Sequence, residues 1–271
     1  MITEDDLFNR YFKLLGIRRA KPDTNSLREI VRAHLCRVPF ENVSKLYFKK
    51  QGMVGLPSLQ QFLDGIEKHN FGGTCYANNF HLNRLLAYLG FDVMLCGADM
   101  KQPDVHLVSI VKVEEREYLV DAGYAAPFLE PLPRDLNRDY VITLGNDRYV
   151  LRPQDHNGGS RMELFRDGAL KHTYVVKPDP RRIEEFHEAI AESYRADATF
   201  MNALLLVRFA PGRSDAVRNM TYIESIGTKS TKKTVSSRDE LAQLVKKIFF
   251  IPRRIVNEAL DEIEQMRDVW K

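Results

Sequence analysis

The chain is short of cysteine, of long apolar runs and of charge of one sign. Cys36, Cys75 and Cys96 are the three cysteines among 271 residues. No two have the C-x-x-C spacing of a zinc site or a redox motif. No histidine pair has the helical spacing of a zinc hydrolase, so no metal is expected. Free thiols fit a reducing compartment. No stretch approaches the roughly 20 apolar residues that cross a bilayer. The segment from Met1 to Leu7 carries Glu4, Asp5 and Asp6, and so lacks the basic start and apolar core of a signal peptide. These absences lead us to expect a cytoplasmic protein with no membrane partner. Forty Lys and Arg oppose 37 Asp and Glu. The formal charge of +3 is too small to argue for a nucleic-acid partner, and the charges are interspersed along the chain. There are no repeats and no low-complexity segments.

What is present is an ordinary globular composition, 44% hydrophobic and 28% charged, which excludes disorder of the whole chain. The length predicts two domains, or one large domain with a lid. The first third reads as helical. Thr3 can cap a helix carrying Leu7, Tyr11, Phe12, Leu14 and Leu15. A second helix starts near Ser26, carries Leu27, Ile30, Val31 and Leu35, and ends before Pro39. Pro57 and Ser58 open a third with Leu59, Phe62 and Ile66 on one face. A fourth runs from about Thr74 through Leu82, Leu85, Leu86 and Leu89, with Gly90 as its C-terminal cap.

The period then changes. The segment from Val105 to Val111 is β-rich, as is Tyr118-Leu119-Val120, with a turn between Glu114 and Glu117. Gly145-Asn146-Asp147 and Asp167-Gly168 mark further hairpins. Short strands with regular turns predict an antiparallel sheet or small barrel. A polar helix over Arg181 to Tyr194 bridges to the last third. There the segments from Leu204 to Phe209 and from Thr221 to Ile226 read as strands. Ser237 and Glu240 form a capping-box pattern, and a final helix follows Pro252. The segment from Lys229 to Thr234 reads as the most basic loop.

Cys75 stands in Phe71-Gly72-Gly73-Thr74-Cys75-Tyr76. Two glycines permit a tight backbone. Thr74 as N-cap puts Cys75 in the first helical turn, whose positive end favours the thiolate nucleophile. First-turn N–H groups can also hold an oxyanion. The plainer reading, a buried small hydrophobe, suits Cys36 and Cys96, which sit in apolar patterns without glycines. A cysteine nucleophile needs a base, and the base an orienting group. His106 begins one β-run and Asp121 ends the next. If Glu114 and Glu115 form a two-residue turn, Gly123 pairs with His106 and Val108 with Asp121. His106 and Asp121 are then diagonal neighbours on one face, about 7–8 Å apart at the backbone. A slip of one residue would put Asp121 on the other face. Taken singly, His106 is a strand histidine and Asp121 a strand-end turn residue. His34, His69, His81, His156, His172 and His187 lie on helix faces or in loops, and no acid is placed to orient them.

These residues resemble the arylamine N-acetyltransferase family. Val38-Pro39-Phe40-Glu41-Asn42 is similar to its V-P-F-E-N segment. Gly72-Gly73-Thr74-Cys75, with Asn79, is similar to R-G-G-x-C-x-E-x-N. The segment from Val105 to Val108 is similar to the strand with the triad histidine, and the segment from Val120 to Tyr124 to V-D-x-G-F. Beyond about Pro133 only the general layout agrees. The resemblance implies an α+β fold with a cysteine-protease/transglutaminase-like core. Its parts are a helical domain over residues 1–92, an antiparallel β-barrel over 93–178, an interdomain helix over 179–198 and an α/β lid over 199–271. It implies acetyl-CoA as donor and an aromatic amine or hydrazine as acceptor, foreign amines included. It implies a ping-pong reaction through acetyl-Cys75, with His106 handling the proton and Asp121 fixing the imidazole. Phe40 and Tyr124 match acceptor-pocket positions, where aromatic walls suit a flat substrate; for Phe40, plain core packing stands level with that role.

Three positions depart from the family pattern. Phe71 replaces its arginine and Ala77 its glutamate, as an ion pair exchanged for apolar packing would. Ala125 stands where a glycine is common. Lys229, Lys232 and Lys233 would suit CoA phosphates if the lid folds back; the plainer reading is a solvated loop. Other readings remain: an amide synthase or other acyl-thioester acyltransferase on this scaffold, a non-catalytic ligand-binding relative, and a cysteine protease, which shares the order Cys, His, Asp.

Overall fold

The computed structural model describes residues 2–269. Met1, Trp270 and Lys271, which the expected first and last units include, lie outside the described residues. The helical start holds α1 (Glu4–Leu15), α2 (Thr24–Arg37), the short β1 (Phe40–Glu41), α3 (Val43–Lys50), α4 (Leu59–His69) and α5 (Cys75–Tyr88). Thr3 caps α1 through a capping box with Asp6, and Ser58 caps α4 with Gln61. The second helix begins two residues earlier than the pattern predicts. Asp23 is its N-cap, and the Ser26 hydroxyl accepts from the Asp23 N–H at 3.1 Å. Gly90 ends α5 in the left-handed region at φ 87°, and Phe91 N–H donates back to the Leu86 carbonyl. The short helix α3 is not evident in the sequence. It is held by burial of Val43 and Leu46, each contributing about 2 kcal/mol of apolar burial.

Eight strands follow: β2 (Asp92–Asp99), β3 (His106–Val113), β4 (Arg116–Val120), β5 (Leu132–Pro133), β6 (Tyr140–Leu144), β7 (Asp147–Leu151), β8 (Ser160–Arg166) and β9 (Ala169–Pro180). They form one antiparallel sheet in the order β5-β4-β3-β2-β9-β8-β7-β6, curled into a nearly closed barrel. Glu114 and Glu115 do make a two-residue turn, with φ 51° and 62°. That turn matches the twist of the strands and sets the register Val113↔Arg116 through Ser109↔Val120. The Asp167-Gly168 hairpin works the same way, closing Arg166 onto Ala169.

The expected helix over Arg181 to Tyr194 is a 3₁₀ turn over Ile183–Phe186 followed by the short α6 (His187–Glu192). After α7 (Thr199–Asn202), the strands β10 (Leu205–Ala210), β11 (Arg213–Arg218), β12 (Thr221–Ile226) and β13 (Lys229–Thr234) join β1 in a second sheet, ordered β1-β10-β11-β12-β13. The basic segment from Lys229 to Thr234 is therefore no loop. It folds back at Gly227 and pairs with β12 as an edge strand, where exposed lysines discourage pairing with other chains. Ser237 caps α8 (Arg238–Phe249), but the capping box is half formed, because Glu240 bonds the Ser236 N–H and hydroxyl instead. The last helix is α9 (Arg253–Leu260). One apolar core joins α1, α2, α4 and α5 to the barrel. A second packs α3, α8 and α9 on the other sheet. Among the described residues no helix is long and apolar enough to cross a membrane.

Candidate active site

The turn that carries Cys75 is clamped from below. Gly72 lies so close to the chain at Pro39 that an added Cβ would stand 1.8 Å from the Pro39 carbonyl oxygen. Its N–H donates to Glu41 Oε1 at 3.0 Å, and Ser44 N–H donates to Oε2 at 2.8 Å. Gly73 has φ 146°. Its carbonyl accepts from Glu41 N–H and from the Asn78 amide. Burial raises the proton affinity of Glu41, and these N–H donors work against it. Thr74 holds the N-cap position of α5 with no side-chain cap bond. Cys75 opens the helix half-buried, as the glycines and the helix start predict.

His106 and Asp121 meet as the turn register predicts. His106 Nε2 is 2.9 Å from Asp121 Oδ2, and both side chains are buried. The carboxylate is fully used. Tyr174 OH donates to Oδ2 at 2.8 Å. The Asn79 amide and Gly123 N–H each donate to Oδ1 at 2.9 Å. Asn79 is fixed in turn, accepting from Ala122 N–H at 2.6 Å and donating to the Leu107 carbonyl at 2.6 Å. Burial would lower the pKa of His106. The Asp121 carboxylate and then the neighbouring Cys75 overcome that and push it up to about 10. Burial would raise Asp121, and the His106 pairing with its other hydrogen bonds holds it below the usual range. Gly123 lies against the helix start, where a Cβ would stand 2.5 Å from Cys75 Cα. The three groups thus converge: a half-exposed thiol, a ring that can hold a proton beside it, and a carboxylate fixing that ring.

Tyr174 is absent from the sequence-level site. It lies on β9, 53 residues from Asp121, and no local pattern marks it. Replacing it with phenylalanine removes one hydrogen bond to Asp121, worth about 1–1.5 kcal/mol. We expect kcat/KM for the reaction at this site to fall about tenfold with little change in KM; an unchanged kcat/KM would remove Tyr174 from the site.

The two expected acceptor-pocket residues part company. Tyr124 stands beside the pair, its ring centre 6.0 Å from that of His106 and edge-on to Tyr174 at 4.9 Å. Its hydroxyl bonds His172 Nδ1 at 2.8 Å. Phe40 is buried in the core, paired with Val207 and packed on Phe200. His172 lies on β9 rather than on a helix face or in a loop. His34 and His81 are buried, and burial lowers each to about 3, so both are neutral.

Phe71 sits in apolar packing, edge-on to Phe48 at 5.7 Å and near Tyr47. Phe71 and Ala77 line a small cavity of about 40 Å³ that also meets Gly73, Thr74 and Lys45. A larger cavity of about 460 Å³ lies nearby between Phe80, His81, Arg84 and Ile183. Neither is lined by Phe40 or Tyr124. Ala125 holds φ 59°, the left-handed region where glycine is favoured, so the alanine carries about 1 kcal/mol of strain. Among the described residues no group of three His, Cys, Asp or Glu is placed to hold a metal.

Comparison with known proteins adds to this geometry. A family model described as N-acetyltransferase matches residues 23–255. A pineal-gland arylamine N-acetyltransferase of Gallus gallus is 30% identical over 193 residues, which are 61% of this chain and 64% of that one; this chain thus spans just under two thirds of that relative. Proansamycin X synthase of Amycolatopsis mediterranei is 23% identical over 239 residues, covering 83% of this chain and 90% of that one. The structure of an arylamine N-acetyltransferase from Salmonella typhimurium superposes with a TM-score of 0.80 at 18% identity, over 96% of this chain and 99% of that one. That of M. smegmatis gives 0.78 at 20% identity, over 95% and 99%. The two structures share the fold described above.

Proposed function

This chain belongs to the arylamine N-acetyltransferase family, and from that premise we propose that it moves an acetyl group from acetyl-CoA to an aromatic amine or hydrazine by way of Cys75. The observation that carries the reading is the buried His106–Asp121 pair set against the first turn of α5, where Cys75 stands. His106 takes the thiol proton. The Cys75 sulfur attacks the acetyl carbonyl, an S–C bond forms, the bond to the CoA sulfur breaks, and the His106 proton leaves with CoA. The amine then attacks acetyl-Cys75, His106 takes the amine proton, and the Cys75 thiolate leaves. Asp121 keeps the ring oriented and stabilises its charged form throughout. Free N–H groups at the start of α5 are available to the oxyanion. Tyr124, stacked on Phe128 at 6.1 Å, supplies an aromatic wall next to His106 for a flat acceptor. Phe40 supports the Gly73 turn, to which it pairs, rather than meeting the acceptor.

The test is intact-protein mass spectrometry after mixing with acetyl-CoA and no acceptor. We expect one acetyl adduct on the wild type, discharged by an arylamine and absent in Cys75→Ala. An adduct of equal yield in Cys75→Ala would overturn the assignment of the nucleophile. A second reading, acyl transfer from a different thioester, is favoured by the long match to a synthase, 83% of this chain. Under that reading longer acyl thioesters outcompete acetyl-CoA for Cys75; under the first they do not.

A further inference from the structure

Tyr124 stands outside the regular structure. Between Val120, which ends β4, and Leu132, which opens β5, the chain forms neither helix nor strand. No strand ladder fixes the ring, and Ala125, next in the chain, holds φ 59°. The side chain is tied at its far end instead. Its hydroxyl oxygen lies 2.8 Å from His172 Nδ1. His172 is on β9, which β3 and β2 separate from β4 in the barrel. The bond thus joins the segment after β4 to a strand that is not its neighbour. The resembling V-D-x-G-F segment has phenylalanine where this chain has Tyr124, so the hydroxyl that makes the bond is an addition to that pattern.

The strand is shaped for the contact. Pairing between β8 and β9 runs from Leu164↔His172 to Phe165↔Leu170, so Lys171 forms a bulge. A bulge bends its strand and re-aims the side chains beside it. His172 and Tyr174 are alternate residues of β9 and so share one face. From that face Tyr174 donates to Asp121 and His172 holds Tyr124. The other neighbours of the Tyr124 ring are aromatic: Tyr174 edge-on at 4.9 Å, Tyr149 edge-on at 6.4 Å and Phe128 stacked at 6.1 Å. Such contacts let a ring slide, whereas a hydrogen bond sets a direction.

We propose that His172 is a positioning residue for the acceptor half of the reaction, holding the Tyr124 hydroxyl so that the ring beside His106 stays at the angle a flat amine needs. This rests on reading Tyr124 as the acceptor wall. His172 itself meets neither the sulfur nor the acceptor; it acts through Tyr124.

The test takes the two half-reactions apart. Cys75 is loaded from acetyl-CoA in a single turnover, and acetyl-Cys75 is then discharged by 4-methylaniline or by hydrazine, which has no ring. His172→Leu loads at the wild-type rate, since the acetyl group has no ring to lay against Tyr124. It discharges to 4-methylaniline about tenfold more slowly than wild type, and to hydrazine at the wild-type rate. His172→Asn stays within about twofold of wild type, because its amide offers a donor and an acceptor near the place of Nδ1. In a Tyr124→Phe background His172→Leu changes nothing further, as a residue acting only through that hydroxyl must. The inference is overturned if His172→Leu slows both acceptors alike, slows neither, or slows Tyr124→Phe further. Failure of the wall reading looks different: Tyr124→Ala then discharges to 4-methylaniline at the wild-type rate, and the inference falls with it. If no protein takes an acetyl group, the dissociation constant of 4-methylaniline, from NMR titration, decides. A severalfold rise in His172→Leu that His172→Asn lacks upholds the role of His172, and equal constants overturn it.

Discussion

Replacing Asp121 with asparagine is expected to slow acetylation of Cys75 by about 10³- to 10⁴-fold in a chain that still folds. Asp121 Oδ2 accepts from both His106 Nε2 and Tyr174 OH. Asn79 and Gly123 N–H hold Oδ1, so an asparagine keeps its oxygen there and turns its amide toward the other two. That amide donates and cannot accept. His106 must then carry its proton on Nδ1, and the ring loses the lone pair that would take a proton from Cys75. It also loses its charge partner. Burial opposes the imidazolium, and Asp121 is the first of the groups that overcome it and bring His106 to about 10.

The sign of the pH effect follows. A histidine whose pKa is raised on folding adds stability that is whole below its unfolded value of about 6.5. That contribution is lost as pH rises toward about 10. The asparagine variant should therefore melt below wild type at pH 6, with the gap closing as pH approaches that value. Single-turnover acetylation by stopped-flow and Tm across pH are the measurements. A rate within tenfold of wild type would show that the carboxylate does not govern the ring.

Replacing Gly72 with alanine should cost about 3 kcal/mol or more of stability, roughly 6–12 °C in Tm for a chain of this size. The added Cβ meets the Pro39 carbonyl oxygen at 1.8 Å and its carbon at 2.9 Å. Both are backbone atoms, so no side chain can swing away. The strand that would have to move carries Phe40 and Glu41, and Glu41 bonds the N–H of Gly72 itself. Relief of the clash therefore breaks the clamp that positions Cys75. Gly52→Ala is the control. Gly52 has φ 75° and open space around it, so alanine there costs only about 1 kcal/mol of backbone strain. Urea unfolding of both variants decides the matter; equal midpoints would mean that the Gly72 contact relaxes freely.

Much of this architecture was legible because its causes are local. Thr3 with Asp6 and Ser58 with Gln61 cap helices across three residues. Glu114 and Glu115 close a hairpin in a register that brings His106 and Asp121 to one face. The helix α3 was not legible, because eight residues rich in lysine and aromatics show too short a period to read. Nor was β13, whose run of Lys, Ser and Thr looks like a solvated loop until β12 supplies its hydrogen bonds. His172 looked unremarkable until the barrel brought it to Tyr124, 48 residues away.

The amino-acid sequence by itself determined that Cys75 opens a helix and that His106 and Asp121 share one face of a hairpin, because a glycine turn, a helix start and a two-residue hairpin act over a few residues. Only the tertiary structure decided what surrounds them. Tyr174 reaches Asp121 across 53 residues and Lys45 reaches Ser193 across 148. The physical reason is that burial, counter-charge and the final hydrogen bonds of a carboxylate depend on which distant segments pack together, and residue spacing does not encode that.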